Sequence, residues 1–341
     1  MRWSWRKNLI KLGMIMGKKL TQVSFLFVFA TLLVVIGHAD ITLDYRDLWI
    51  YKWVYSFHMP LFFFLSGFLF AYTYPANKMQ GMRFFPFMRK KVKRLLLPFL
   101  FINSVIFVIK SRFVPAELMQ NPLTFSFSSW VESMLWYPIG FMWFLPTLFM
   151  IFVFFSLLRK WIYVNVYLQM GGVILLFVLS YVMPNMQFMQ ISVAVHYSAY
   201  FGLGILYCIY KGRIDAILLR YKYGMFLGSF ALSASLLPWK LVAALVGIVF
   251  SLILSLIVEK RSGVGLIHLS DYTYTVFLLS YFPQMLVRGP IAHAFPEVNQ
   301  YLFSCVSFVL GFSLPILFGV IYRRVKDANR LTRFVGLLVG L

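Results

Sequence analysis

A histidine inside an apolar stretch is the first residue in this chain whose type and place could do chemistry. His58 stands near the start of SFHMPLFFFLSGF (Ser56–Phe68), within a run from Tyr51 to Tyr72 that holds no acidic residue and one early lysine, Lys52. In a bilayer such a side chain is costly and turns toward the protein interior or a water-filled cavity. Near neutrality an imidazole can take the proton of an attacking hydroxyl, which is worth about 10²–10⁴-fold in rate. A hydrogen-bonded core histidine is the plainer reading of the same residue. His38 closes an earlier apolar run, LLVVIGH, and offers the same chemistry. By position alone it reads as an interfacial histidine wetted by the loop that follows. Asp40 could orient it, but residues two apart on a helix do not face one another.

Cations form the second set. Arg94 and Lys91, with Lys90 and Lys93, could hold an anionic group through charge-assisted contacts. Arg94 is the preferred residue because it stands at a helix entry, although ordinary basic loading of an inner loop accounts for most of the cluster. The Ser66-Gly67 pair is small enough to let a helix or a ligand approach closely. Trp143, in PIGFMWFLPTLF, offers a stacking face or an interfacial anchor. His196, His268 and His293 have no motif around them, and Tyr272 and Tyr274 read as packing. No Ser-His-Asp spacing, Gly-rich phosphate loop or metal cluster is evident. Cys208 and Cys305 each lie in an apolar run, so no disulfide framework is indicated.

The elements that must position these residues are membrane helices. The 341 residues are 61% hydrophobic and 12% charged, whereas about a quarter of a soluble domain is charged. The apolar runs are continuous over roughly 17–25 residues rather than alternating, which fits helices and not a β-barrel. The fold class expected is all-α and polytopic, with about ten spans. These fall at 20–37, 51–72, 95–112, 134–158, 161–183, 191–210, 223–239, 241–258, 266–287 and 301–322. The net charge of +22 could suggest nucleic acid, but its distribution points elsewhere. With ten spans, 26 Lys and Arg fall on the side of both termini and 6 on the other. That asymmetry places both ends in the cytoplasm and excludes a nucleic-acid reading. The whole chain, 1–341, reads as one membrane domain with a basic segment at 1–19, a retained anchor helix, and a basic tail at 323–341. No internal repeat is visible.

Depth follows from a rise of about 1.5 Å per residue. His38 and His58 come out at similar outer depths on consecutive antiparallel helices, and Trp143 lands in the same outer third. Ser66 and Gly67 lie roughly 12 Å deeper than His58. The Arg89–Arg94 cluster marks the inner mouth.

At these residues the chain resembles the membrane acyltransferase 3 family, and within it the branch of fucose 4-O-acetylase-like sugar O-acetylases. The matching pieces stand in family order: LLVVIGH ending at His38, FHMPLFFFLSGF over residues 57–68, KVKRLLLP from Lys91 to Pro98, WFLPTLF from Trp143, and SDYTYTVFLLS from Ser270. The resemblance implies acyl transfer from cytoplasmic acyl-CoA, acetyl-CoA first, to a hydroxyl of a surface polysaccharide or its lipid-linked precursor, at the cell inner membrane. It implies no permanently bound cofactor, and as partners the acyl-CoA, the glycan or lipid-linked sugar and membrane lipids. His38 takes the family's catalytic position, and His58 is placed to position the sugar or polarise the thioester carbonyl. Arg94 and Lys91 would meet the CoA phosphates, Ser66 and Gly67 would line its path, and Trp143 would stack on sugar or acyl chain. Two departures stand out. Family members usually carry Arg or Lys eleven residues before the first histidine, where this chain has Phe27. The late family helix often ends in histidine, where this chain has Ser280. A transporter or flippase for a glycan or acyl group, and an impaired family member, are the rival readings. Transporters often show repeat symmetry, which is not visible here.

Overall fold

The computed structural model describes residues 21–39, 48–115, 122–259, 268–291, 294, 295, 297, 299–325 and 329–341. The basic segment 1–19, Asp40 and His293 lie outside them. The described residues are helical almost throughout, with no strand. The helices are α1 (Thr21–Gly37), α2 (Trp49–Thr73), α3 (Phe84–Phe113), α4 (Phe127–Leu135), α5 (Gly140–Lys160), α6 (Val166–Val182), α7 (Ile191–Arg220), α8 (Lys222–Ser235), α9 (Lys240–Glu259), α10 (273–291), α11 (Gln300–Val325) and α12 (Arg330–Val339).

Among the described residues six helices are long and apolar enough to cross a membrane: α2, α3, α5, α7, α9 and α11. The other expected spans are short or interrupted. α1 and α6 have 17 residues each, α8 has 14, and α10 is broken at Ser280. The break in α10 has a local cause: Pro283 has no N–H to give to the carbonyl of Leu279, four residues back.

α2 is the centre of the bundle. Some 78% of its apolar window is buried, against 22% for α11 at the periphery. α1, α7 and α9 pack around it. Its contact with α7 is set by two glycines. A Cβ on Gly67 would overlap the backbone of Phe201, and one on Gly204 would overlap the carbonyl of Phe64 and the amide of Phe68. Helices meet this closely only where side chains are absent.

Two expected boundaries are corrected. The third span does not begin at Leu95, because α3 starts at Phe84 and runs through the basic cluster as one helix. Phe87 and Met88 are buried between the charges, and this apolar face carries the helix past them. The fourth span does not begin at residue 134. α4 ends at Leu135, the chain breaks through Pro138, and α5 starts at Gly140 with φ +60°, a left-handed conformation that glycine adopts freely. The fully buried Asn103 of α3 holds this break. Its Nδ2 donates to the Ser133 carbonyl (3.1 Å), and its Oδ1 accepts from the Ile139 N–H (2.9 Å). Asn103→Leu leaves both backbone groups unpartnered. The expected cost is about 2–4 kcal/mol of stability, read as a lower Tm of the purified protein.

Within the segment read as a tail, α12 folds back onto α3 and α10 and buries Leu338 and Val339. Asn329 and Thr332 form a reciprocal capping box at its start, and Gly340 closes it with φ +80°.

Candidate functional site

The end of α1 carries His38, and its position is unusually well determined. A helix leaves its last carbonyls without intrahelical donors. Here all four have one. Val34 accepts from the His38 N–H and Ile36 from the Ala39 N–H, both at 3.1 Å. Val35 accepts from Nε2 of Gln284 on α10 (2.8 Å), and Gly37 accepts from the Tyr55 hydroxyl on α2 (3.0 Å). A Cβ at Gly37 would come within 2.9 Å of the Tyr55 ring, so the glycine before His38 is what lets that tyrosine lie across the helix end. Side chains from two other helices thus fix the backbone from which His38 projects.

Tyr55 joins the two histidines. Its ring lies edge-on to His38 (6.2 Å between centroids) and to His58 (4.8 Å). His58 is buried, and its Nδ1 is 2.9 Å from the Val54 carbonyl. A carbonyl only accepts, so Nδ1 carries the proton and the lone pair of the neutral ring is on Nε2. His38 is half-buried and its ring packs on Phe141 at 5.6 Å. Among the described residues that ring makes no hydrogen bond, so both of its nitrogens remain available to a ligand.

Three further residues complete this end of the bundle. Phe141 packs on Tyr281 of α10 (5.6 Å), and Arg288 and Lys110 lie 5.4 and 5.7 Å from the centroid of that same tyrosine. Arg288 also lies within electrostatic reach of His38 and is held to its own helix by Nε donating to the Gln284 carbonyl (3.3 Å). Sequence reasoning missed Tyr55, Gln284, Tyr281, Lys110 and Arg288. A buried glutamine four residues before an arginine in an otherwise apolar helix was the available signal.

Trp143 does not join the histidines. It stacks on Tyr197 (5.5 Å) and lines an open cleft of about 430 Å³ with Ser180, Asn185, Ser192 and His196. Phe141, from the same motif, is the residue that reaches His38. Gly67 lies in the α2–α7 crossing, where its missing side chain is used against Phe201, and Ser66 beside it is half-buried.

At the opposite end of α3 the KVKRLLLP stretch contains a π-turn over Val92–Leu96. Pro98 explains it. The proline cannot donate to the carbonyl of Arg94, and its ring crowds that oxygen, so the helix widens. The Tyr274 hydroxyl of α10 donates to the orphaned Arg94 carbonyl, so Tyr274 does more than pack. Arg94 is exposed here. The Lys91 ammonium lies 3.5 Å from the centre of the Phe152 ring, a cation–π contact. Phe27, where the resemblance leads one to expect a cation, packs against the core. The buried polar residues of that helix are Ser24, Thr31 and Gln22. Nε2 of Gln22 donates to the Tyr207 hydroxyl (3.0 Å) and to Ser255 (3.1 Å), and Tyr207 donates to Asp215 (2.7 Å). Ser280 is buried within the broken helix α10.

Among the described residues no group of three or more His, Cys, Asp or Glu is placed to hold a metal ion. In comparisons with known proteins, the family model described as an acyltransferase domain matches residues 26–321, a span that includes both histidines, the π-turn, Trp143 and all of α10. No curated protein and no solved structure matches the chain. An all-helical chain with membrane-length apolar helices, matched over most of its length, belongs to the membrane acyltransferase 3 family.

Proposed function

We propose that the chain is an O-acetyltransferase of the cell inner membrane, similar to the fucose 4-O-acetylase-like branch, which moves acetyl from cytoplasmic acetyl-CoA to a hydroxyl of a surface polysaccharide or its lipid-linked precursor. The observation that carries this reading is the end of α1, where four satisfied carbonyls hold His38 beside Tyr55 and His58. Ten crossings with both termini in the cytoplasm accord with the distribution of Lys and Arg along the chain. CoA enters at the π-turn, where Arg94 and Lys91 meet its phosphates and the acyl arm passes Ser66 on its way to the histidines.

In this mechanism His38 takes the proton of the acceptor hydroxyl as its oxygen attacks the thioester carbonyl. The carbon–sulfur bond then breaks, and the imidazolium returns the proton to the departing CoA sulfur. His58, with its Nδ1 proton engaged by the Val54 carbonyl, offers Nε2 to accept from a hydroxyl of the sugar and so position it. The opposed positions of the two sites fit this division. Sixteen residues separate Arg94 from Lys110 on one continuous helix, roughly 24 Å.

The test is transfer of labelled acetyl from acetyl-CoA to membrane glycan in vesicles containing the full chain, run beside other acyl-CoA donors. Label in the glycan is the expected result. Unlabelled glycan crossing the vesicle membrane without any acyl donor would overturn the reading in favour of a transporter. Silence with every donor would favour an impaired family member, and would make Phe27 the residue responsible.

A further inference from the structure

The cleft beside Trp143 takes no part in the proton transfer at His38, yet it is furnished for a ligand. Trp143 and Tyr197 stack at 5.5 Å, and both rest on Phe63 of α2, at 6.4 and 4.4 Å between ring centroids. Phe63 is fully buried, so the core backs this aromatic pair. Trp143 itself is half-buried and lines the cleft, which offers about 430 Å³. Small-molecule pockets run from about 300 to 1,000 Å³.

Polar groups with spare hydrogen-bonding capacity stand round that pair. Asn185 uses its Oδ1, which accepts from Gln187 (2.8 Å), while its Nδ2 has no partner among the described residues. The His196 ring packs on Tyr197 and Tyr200 and makes no hydrogen bond among those residues. The Ser180 and Ser192 hydroxyls donate to the carbonyls of Phe177 (2.6 Å) and Met186 (3.1 Å), which leaves their lone pairs free to accept. The turn that presents Asn185 and Ser192 is held against its own preference. Met189 and Gln190 have φ of 50° and 57°, a region that residues other than glycine seldom occupy. Gln190 is fixed there by its Nε2, which donates to the Trp136 carbonyl (2.8 Å).

The chemistry of this lining selects among ligands. No acid, lysine or arginine lines the cleft, and Lys240 comes only within electrostatic reach of His196. An anion therefore finds no counter-charge in the lining. A lipid chain has no use for the amide or the imidazole. A sugar ring matches both halves of the site. The C–H bonds on one of its faces meet the negative face of an aromatic ring, and the hydroxyls round its edge both donate and accept. The cleft also opens at the histidine end of the bundle. Phe141, which packs on His38, and Trp143 stand two residues apart in the 3₁₀ turn Gly140–Trp143. With three residues per turn, they point to different sides of it.

We propose that this cleft binds an uncharged sugar ring, flat on Trp143 and Tyr197, with its hydroxyls on Asn185, His196, Ser180 and Ser192. The ring is a neighbour of the sugar that faces His38, not that sugar itself. The cleft thus grips an extended glycan and sets which of its units reaches the imidazole. That last step rests on the acyl-transfer reading; the binding of the ring does not.

The test uses the full chain in nanodiscs, with no acyl donor and no sugar-based detergent. The tryptophans are replaced by 5-fluorotryptophan, and the fluorine line of Trp143 is identified by its absence from Trp143→Phe. The probes are the methyl glycosides of β-D-glucose, β-D-galactose and α-L-rhamnose, the acidic methyl β-D-glucuronide, and decanol as a lipid chain. At least one neutral glycoside is expected to shift the Trp143 line saturably, and to bind at least as tightly as the glucuronide. Asn185→Ala and His196→Ala, both at exposed positions, should each weaken that binding about threefold to tenfold. The other tryptophan lines report that each variant is folded. No shift with any neutral glycoside, a shift with decanol alone, tighter binding of the glucuronide, or an affinity unchanged in both alanine variants overturns the proposal. Glycoside binding without acetyl transfer in the vesicle assay would count against the proposed function and leave the cleft standing.

Discussion

His38→Ala is expected to lower acetyl transfer by about 10²–10⁴-fold, the usual worth of a positioned general base, at unchanged protein level. The variant is a clean one. The His38 ring makes no hydrogen bond among the described residues, so its removal strands no buried partner, and the backbone N–H that caps Val34 is retained. Tyr55 and Gln284 still close α1. The loss should fall on kcat, with the binding of both substrates little changed, because the imidazole acts on a proton that moves only in the transition state. Wild-type turnover should also fall as the medium is acidified, since an imidazolium has no lone pair to offer. If His38→Ala transfers label at the wild-type rate, the base is another group, and His58, with its lone pair already on Nε2, is the next to test.

Gly204→Ala is expected to be the most damaging single change to the fold. The added methyl has no room to form, because its carbon would overlap the Phe64 carbonyl and the Phe68 amide, which are backbone and cannot rotate away. α2 and α7 must separate, and with them goes the packing of Phe63 on Tyr197 and of Phe70 on Phe201. A cost of about 3 kcal/mol or more follows, at the upper end for overpacking. The readout is thermal unfolding of the detergent-purified protein, together with the yield of folded chain. A wild-type Tm for Gly204→Ala would mean that the two helices do not cross as described.

How far the sequence disclosed this site depended on chain separation. That His38 and His58 lie at a similar depth was legible, because consecutive antiparallel helices place them there. That Tyr55 stands between them was not, since a tyrosine in an aromatic-rich helix carries no distinguishing signal. Lys110 comes from α3 and Tyr281 and Arg288 from α10, far apart in the chain, and no local pattern brings those two helices together. The basic cluster hid the start of α3, because charge density masked the apolar face of Phe87 and Met88. The WFL motif pointed to Trp143, but the break before α5 turns Phe141 toward His38 and leaves Trp143 against Tyr197. Gly67 read as a gap for a helix or a ligand, and what fills it is the backbone of Phe201, from a helix more than a hundred residues later.

That distance has a consequence for how the molecule is made. α2 leaves the ribosome second among the described helices, already carrying a histidine and a proline. Its closest partner, α7, and the flanking α9 are not yet synthesised. The centre of the protein is therefore the part that waits longest for its neighbours, while peripheral helices find theirs at once. Until Gly204 arrives, the imidazole and the open backbone turn of α2 face lipid or whatever insertion machinery shields them. Chains cut short before α7 would hold an intact histidine motif without the helix that packs most closely on it, and would be expected to be cleared rather than to fold.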